Sequence, residues 1–436
     1  MSTSEADFWG ITKHFEDKIK IGAFKTKVNE YIQPYFMVFK SKMFNSQEFK
    51  LYFENLKKLK NNKLVIDNIE TTFTNYFKNL NFTYDTFIKD EIFKYQIRNP
   101  HKFLPKVCIK EYNSPFIEKS IFGLNYKEIQ KQVHSPKIKE AFDYIKKETN
   151  YDTDLIIKDI TKTFSMASIK NSLKLNFILS DKHRESFTPN KFALLFSNED
   201  EIFNILEPYM RNLYGLIDVY CINKKEKIKT DIKIKYLDNN LSYFKQVKDF
   251  SANYSQILMF LPNKNTLNKL NYYNKIQYLE YLAKCTLQNR IYTINIADVF
   301  QNNEYIGILT PAPYIFEDFK LTKNQINKND IEEFLLKNNL NLKIEEDFIS
   351  TLSGVFWIKN EALFGINDII DFEAQTNLNI GMVLSIFAQN FNYLTGFIST
   401  NELINNNYLN MEYVFLNKNT FVSELKYKID NLIKRK

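Results

Sequence analysis

The chain has 436 residues, more than one hydrophobic core ordinarily organises, so at least two domains are expected. Hydrophobic residues make up 44% and charged residues 25%, which excludes a disordered chain and a membrane protein's apolar excess alike. The net charge of +8, from 59 basic against 51 acidic residues, permits acidic partners, nucleic acid among them, without requiring one.

In chain order, the sequence predicts a mixed α/β protein with a helical N-terminal region (1–165), a central α/β domain (166–310) and a mainly helical C-terminal region (311–436). In the first region, Phe49, Tyr52, Phe53, Leu56 and Leu59 fall at three- and four-residue steps, which predicts a helix over Ser46 to Leu59 with Ser46 as its N-cap. Helices are also expected at Asn68 to Asn79 and at Ser135 to Lys147, the latter with Pro136 in the first turn, where a missing N–H costs nothing. In the centre, short β-type runs alternate with helical ones. Strands are expected at Leu173 to Leu179, Phe192 to Phe196, Leu216 to Ile222, Ile228 to Tyr236, Gln256 to Leu261, Ile291 to Ile296 and Tyr305 to Leu309. Helices are expected between them at Asn198 to Leu213, Leu241 to Tyr254 and Asn274 to Gln288. Ser197 reads as the cap of the first, and Glu199, Asp200 and Glu201 load its first turn with the negative charge a helix dipole favours. Thr310-Pro311-Ala312-Pro313 reads as a break, followed by helices at Asp330 to Leu336 and Thr420 to Ile433.

Three cysteines, Cys108, Cys221 and Cys285, lie too far apart for a CxxC pair, which fits a reducing compartment. Met1 to Asp7 lacks the basic-then-apolar order of a secretory signal, and the apolar run Ile380 to Ala388 is well short of the ~20 residues that span a bilayer. A cytoplasmic protein without membrane contact is the expectation. Phe (39) and Tyr (27) are abundant and Gly (9) and Pro (10) scarce, with Lys, Asn and Ile also frequent. All five enriched types have A/T-rich codons, so the bias reads as genome composition and neither aromatics nor lysines count by themselves as a nucleic-acid signature.

The glycines are too dispersed to build a P-loop or a Rossmann fingerprint, because phosphate-cradling loops need several close together. His14, His101, His134 and His183 are equally scattered, so HExxH-type zinc sites are absent. No G-x-S-x-G elbow exists. Asp152-Thr153-Asp154 has the form of a metal-binding DxD, the kind of site a glycosyl- or nucleotidyl-transferase would use, but the Gly-rich donor loops expected of such an enzyme are missing, and the triplet reads more simply as a solvated loop or a helix start.

One constellation carries chemistry. Gly215 to Ile222 and Ile228 to Tyr236 read as the two strands of a β-hairpin, with Asp231 and Lys233 on one face of the second and Asp218 on the first. If the register brings them together, two carboxylates and an ammonium form a patch suited to phosphodiester hydrolysis, with hard oxygens holding Mg²⁺ and the metal activating water. Over Asn198 to Ile296 this arrangement resembles the PD-(D/E)xK nuclease superfamily. The resemblance implies that Asp218 and Asp231 hold the metal, that Lys233 orients the attacking water, and that DNA or RNA is the substrate. It also makes Glu201 or Glu207 an auxiliary carboxylate and matches Gln246 to the glutamine of a QxxxY element. Phe250 stands at that element's tyrosine, and Ile217 at the proline expected before Asp218. The rival expectation is a non-enzymatic component of a multiprotein assembly, in which Lys229, Asp231, Lys233 and Lys235 are a solvated strand face.

Overall fold

The computed structural model describes residues 4–15, 17–21, 24–56, 65–89, 100–123, 138–183, 191–222, 227–238, 243–312, 328–343, 353–363 and 380–405. They divide into two units, Met1–Tyr151 and Asp152–Lys436, and the chain is mixed α/β as its sequence predicts. The expected helix at Thr420 to Ile433 and the Pro136 turn lie outside the described residues.

In the first unit Ser46 accepts a hydrogen bond from the Phe49 N–H at 3.2 Å and caps helix Gln47–Glu54, as the sequence predicts, although the helix stops before Leu59. Helix Thr71–Asn79 follows a π-helical turn, Ile66–Glu70. These helices pack on a small sheet in which β1 (Phe8–Gly10) lies antiparallel to β6 (Met37–Phe39) and parallel to β7 (Tyr84–Thr86). Two further antiparallel pairs form, β2 (Lys13–His14) with β5 (Tyr31–Ile32) and β3 (Asp17–Ile21) with β4 (Phe24–Val28). The region is therefore not purely helical. Most of its strands are two or three residues long, too short for a two-residue alternation to show against the helical period. Its core is aromatic: Phe8 meets Phe73 edge-on at 5.9 Å and Phe77 at 6.4 Å, and Phe73 and Phe77 sit 4.7 Å apart.

A chain of hydrogen bonds runs through this unit. Thr12 donates to Gln33 Oε1 at 2.6 Å, so its one hydroxyl proton is used and it accepts from Tyr35 across 2.7 Å. Tyr35 then accepts from His101 Nδ1 at 2.8 Å, which leaves His101 Nε2 to accept from the Ser114 hydroxyl at 2.7 Å. His101 is thus a neutral Nδ1–H imidazole, only 1% exposed.

The second unit is built on one eight-stranded sheet. Its strands are β8 (Asn176–Leu179), β9 (Phe192–Ser197), β10 (Ile217–Ile222), β11 (Ile234–Leu237), β12 (Gln256–Phe260), β13 (Ile306–Pro311), β14 (Val355–Lys359) and β15 (Leu394–Thr400), in the order β11-β10-β9-β12-β14-β13-β15-β8. All run parallel except β14, which is antiparallel to both neighbours. Central strands such as Gln256–Phe260 are buried at every position, as expected of a parallel sheet covered on both faces. One face packs Ala193, Leu195, Tyr220, Ile257 and Met259 against Val247 and Phe250 of helix Tyr243–Ser251 and Leu384 and Ala388 of helix Ile380–Asn390. On the other face Phe196 meets Phe203 of helix Asp200–Asn212, and the Trp357 indole donates to the Thr286 carbonyl of helix Tyr272–Leu287 at 3.1 Å.

Two sequence expectations change here. Ile291 to Ile296 is part of helix Arg290–Asn302, not a strand, because Tyr292 to Ala297 is buried on every side and so shows no helical stripe. β13 ends at Pro311, in the expected break, and helix Lys328–Lys337 covers the helix expected at Asp330 to Leu336, but the C-terminal region is not a helical part separate from the central sheet. The C-terminal segment then contributes β14 and β15 to the sheet.

Candidate functional site

From β9 the chain moves to β10 and β11 on one side, and it returns to place β12 on the other side of β9. The strand order therefore reverses between β9 and β12, and in open α/β sheets the crevice beyond the carboxyl ends at such a point is where ligands bind. Here the two lips are joined. Glu199, which follows β9, pairs with Lys264, which follows β12, at 3.1 Å. Beneath them the Leu261 N–H donates to the Gly354 carbonyl at 3.0 Å and the Asn263 N–H to the Ser353 carbonyl at 2.9 Å, extending the β12–β14 pairing past the strand ends. Gly354 has φ +73°, and a Cβ there would overlap the Leu261 carbonyl oxygen. Only glycine allows this approach.

Beside the crevice the first turns of helices Asp200–Asn212 and Tyr272–Leu287 flank an open recess of about 290 Å³, lined by Glu201, Asn204, Ile205, Tyr272, Tyr273 and Ile276. Asn271 caps the second helix by accepting from the Asn274 N–H at 2.8 Å, and the Lys275 ammonium bonds the Glu201 carboxylate. Glu199 is the N-cap of the first helix but makes no side-chain cap bond, so the expected Ser197 cap is not the one formed. Pro208 lies inside that helix and has no N–H to give the Asn204 carbonyl one turn back.

The residues singled out for nuclease chemistry are placed differently. β10 and β11 are parallel, with Val219 opposite Ile234, so they are not the two strands of a hairpin. Asp218 lies at the amino end of β10, where its Oδ2 accepts from the Tyr254 hydroxyl at 2.6 Å and from Lys235 at 3.4 Å, and its Oδ1 faces Lys191 at 3.7 Å. Partial burial works against the charge, but the Tyr254 bond and the two ammonium groups outweigh it and hold the carboxyl below its ordinary range. Asp231 is in the fork of Arg211, at 2.6 and 3.0 Å, which lowers its pKa, and Arg211 also bonds Glu207 at 2.8 Å. Lys233 is an exposed residue just before β11. Gln246 exchanges two hydrogen bonds with the Asp238 backbone, at 2.6 and 2.7 Å, and Phe250 stacks on Tyr220 at 3.9 Å. Asp152 accepts from the Asp154 N–H at 2.9 Å, so the DxD-like triplet is a helix N-cap. Among the described residues no group of three or more His, Cys, Asp and Glu side chains is gathered as a metal set.

An open, mostly parallel sheet with helices on both faces and a crevice at a reversal of strand order defines a doubly wound α/β protein. The chain belongs to the rhamnan synthesis protein F family, whose model matches residues 1–377. No curated protein and no solved structure matches it. Membership of a polysaccharide-synthesis family overturns the resemblance to PD-(D/E)xK nucleases, and with it phosphodiester hydrolysis and nucleic-acid binding. Without the nuclease reading, Asp218, Asp231 and Lys233 keep only the surroundings just described. Among the described residues no helix is long and apolar enough to cross a membrane.

Proposed function

We propose that the chain acts in the synthesis of a rhamnan-type polysaccharide, transferring a 6-deoxyhexosyl unit from an activated donor to a growing glycan at the carboxyl-edge crevice of residues 152–436. Family membership over residues 1–377 carries this reading. The sheet topology supports it, since the crevice lies where doubly wound proteins take their ligands. In the reaction the bond from the donor's anomeric carbon to its leaving-group oxygen breaks, and the electron pair leaves with that oxygen. A new bond forms from the same carbon to an acceptor hydroxyl, whose proton passes to a base. The reading assigns that base to Glu199, at the lip beside Lys264.

The test is incubation of the protein with nucleotide-activated rhamnose and a rhamnose oligosaccharide, with and without divalent cations, followed by mass spectrometry. Wild type is expected to lengthen the oligosaccharide by one deoxyhexose. Glu199→Gln is expected to be slower by about 100-fold or more, the contribution of a positioned base. Failure of wild type to lengthen the oligosaccharide under any of these conditions overturns the reading.

A further inference from the structure

The recess beside the crevice has features that the sheet topology does not require. Tyr272 and Tyr273 begin a helix whose buried residues start at Tyr278. Both rings face solvent, 71% and 68% exposed. Tyrosine is a large amphipathic surface, and two adjacent exposed rings lining a concavity are a feature of binding surfaces more than of idle ones. The Gln277 amide donates to the Tyr273 hydroxyl at 3.0 Å and steadies that ring. Opposite stand the Glu201 carboxylate, tethered by Lys275, and Asn204, whose carbonyl cannot be engaged by Pro208. The remaining wall is apolar, from Ile205 and Ile276.

These groups select a chemistry. Glu201 is paired with Lys275, so the recess presents no uncompensated cation to a phosphate or any other anion. A neutral polyol has hydroxyl donors for the Glu201 carboxylate and the Asn204 oxygens, and a face of C–H bonds for a tyrosine ring. A volume of about 290 Å³ lies at the small end of ligand pockets, ~300 to 1,000 Å³, a scale suited to one or two sugar rings of a chain that continues into solvent. Ile205 and Ile276 suit a ring that carries a methyl group where an ordinary hexose carries a hydroxymethyl.

We propose that this recess is the acceptor-glycan site, binding a 6-deoxyhexose residue of the growing polymer against Tyr272 and Tyr273 with its methyl group on Ile205 and Ile276. The proposal rests on the reading that the protein builds a rhamnan-type chain. It deepens that reading by separating the grip on the acceptor from the transfer step at the neighbouring crevice.

Calorimetric titration of the full chain with a rhamnose trisaccharide and a mannose trisaccharide tests it, using wild type, Tyr272→Ala and Tyr273→Ala. Both rings are exposed, so both variants should keep the wild-type circular dichroism spectrum. The expected result is that each variant binds the rhamnose trisaccharide about tenfold more weakly, and that wild type prefers it to the mannose trisaccharide by about tenfold or more. No binding by wild type, or binding unchanged in both variants, overturns the site. Equal binding of the two trisaccharides overturns its preference for a deoxysugar. Transfer by wild type together with unchanged binding in the variants leaves the transferase reading standing and removes this site. Trisaccharide binding that the variants lose, in a wild type that transfers nothing, does the reverse.

Discussion

Acidification should loosen the first unit through His101. The imidazole is buried between Tyr35 and Ser114 and receives its one proton arrangement from a directed chain of hydroxyls, so a second proton would bring an unpaired charge into the interior. Burial pushes its pKa down from 6.5 to about 4. Above pH 6.5 the ring is neutral in folded and unfolded chains alike and costs nothing. As the pH falls through 6.5 the unfolded chain takes the proton first, and stability is lost progressively until the folded ring also protonates near pH 4. The full displacement corresponds to about 3 kcal/mol. Urea unfolding at pH 7 and pH 4.5, compared between wild type and His101→Gln, measures it. The shifted carboxyls Asp7, Glu30, Glu70 and Asp85 titrate in both proteins, so the difference between the two pH dependences isolates the imidazole. Histidine-labelled NMR supplies the direct value. A His101 resonance titrating near 6.5, or the same pH dependence in the variant, refutes the argument.

Other substitutions probe other parts of the molecule. Gly354→Ala forces a side chain into a left-handed conformation and against the Leu261 carbonyl, so urea unfolding should show a loss of about 2 kcal/mol or more; an unchanged midpoint would mean that the β12–β14 extension is not as tight as described. Phe77→Ala removes a fully buried ring from the aromatic core of the first unit and should cost about 3 to 5 kcal/mol, seen as a lower denaturation midpoint for that unit. Asp231→Ala removes a solvent-exposed partner of Arg211, so the unfolding midpoint and sugar transfer should both stay at wild-type levels. Loss of transfer in that variant would show that Asp231 contributes more than a surface pairing with Arg211.

Much of the second unit is legible in the sequence because its strands are buried on both faces and appear as continuous apolar runs. Phe192–Ser197, Ile217–Ile222, Gln256–Phe260 and Ile306–Pro311 all follow such runs. The direction in which strands pair is not written in such runs, which is why β10 and β11 read as a hairpin when they are parallel. Helix Arg290–Asn302 carried one local signal that outweighs its β-type composition: Asn289 accepts from the Tyr292 N–H at 2.9 Å as its N-cap. The recess was invisible for a different reason. With 27 tyrosines in the chain, composition cannot mark the two that stay exposed beside a concavity, because exposure is decided by which other helix comes to lie alongside. The acidic start of helix Asp200–Asn212 matches the helix dipole in the sequence alone, and the pairing of Glu199 with Lys264 across the crevice shows only when β12 is set beside β9.

The antiparallel strand β14 has a bearing on how the sheet assembles. Among the described strands it alone joins β11-β10-β9-β12 to β13-β15-β8, and β8, the first of them to leave the ribosome, has as its one described neighbour β15, the last. Nascent chain must therefore wait for residues near 360 before its two half-sheets can meet, and for residues near 400 before β8 is covered. Such long-range closure makes folding slow and leaves an unpaired edge open during synthesis. The segment from Ile380 to Thr400, beyond the stretch matched by the family model, is for this reason the latch of the sheet, and a chain shortened at residue 377 would leave β8 without the strand it pairs with.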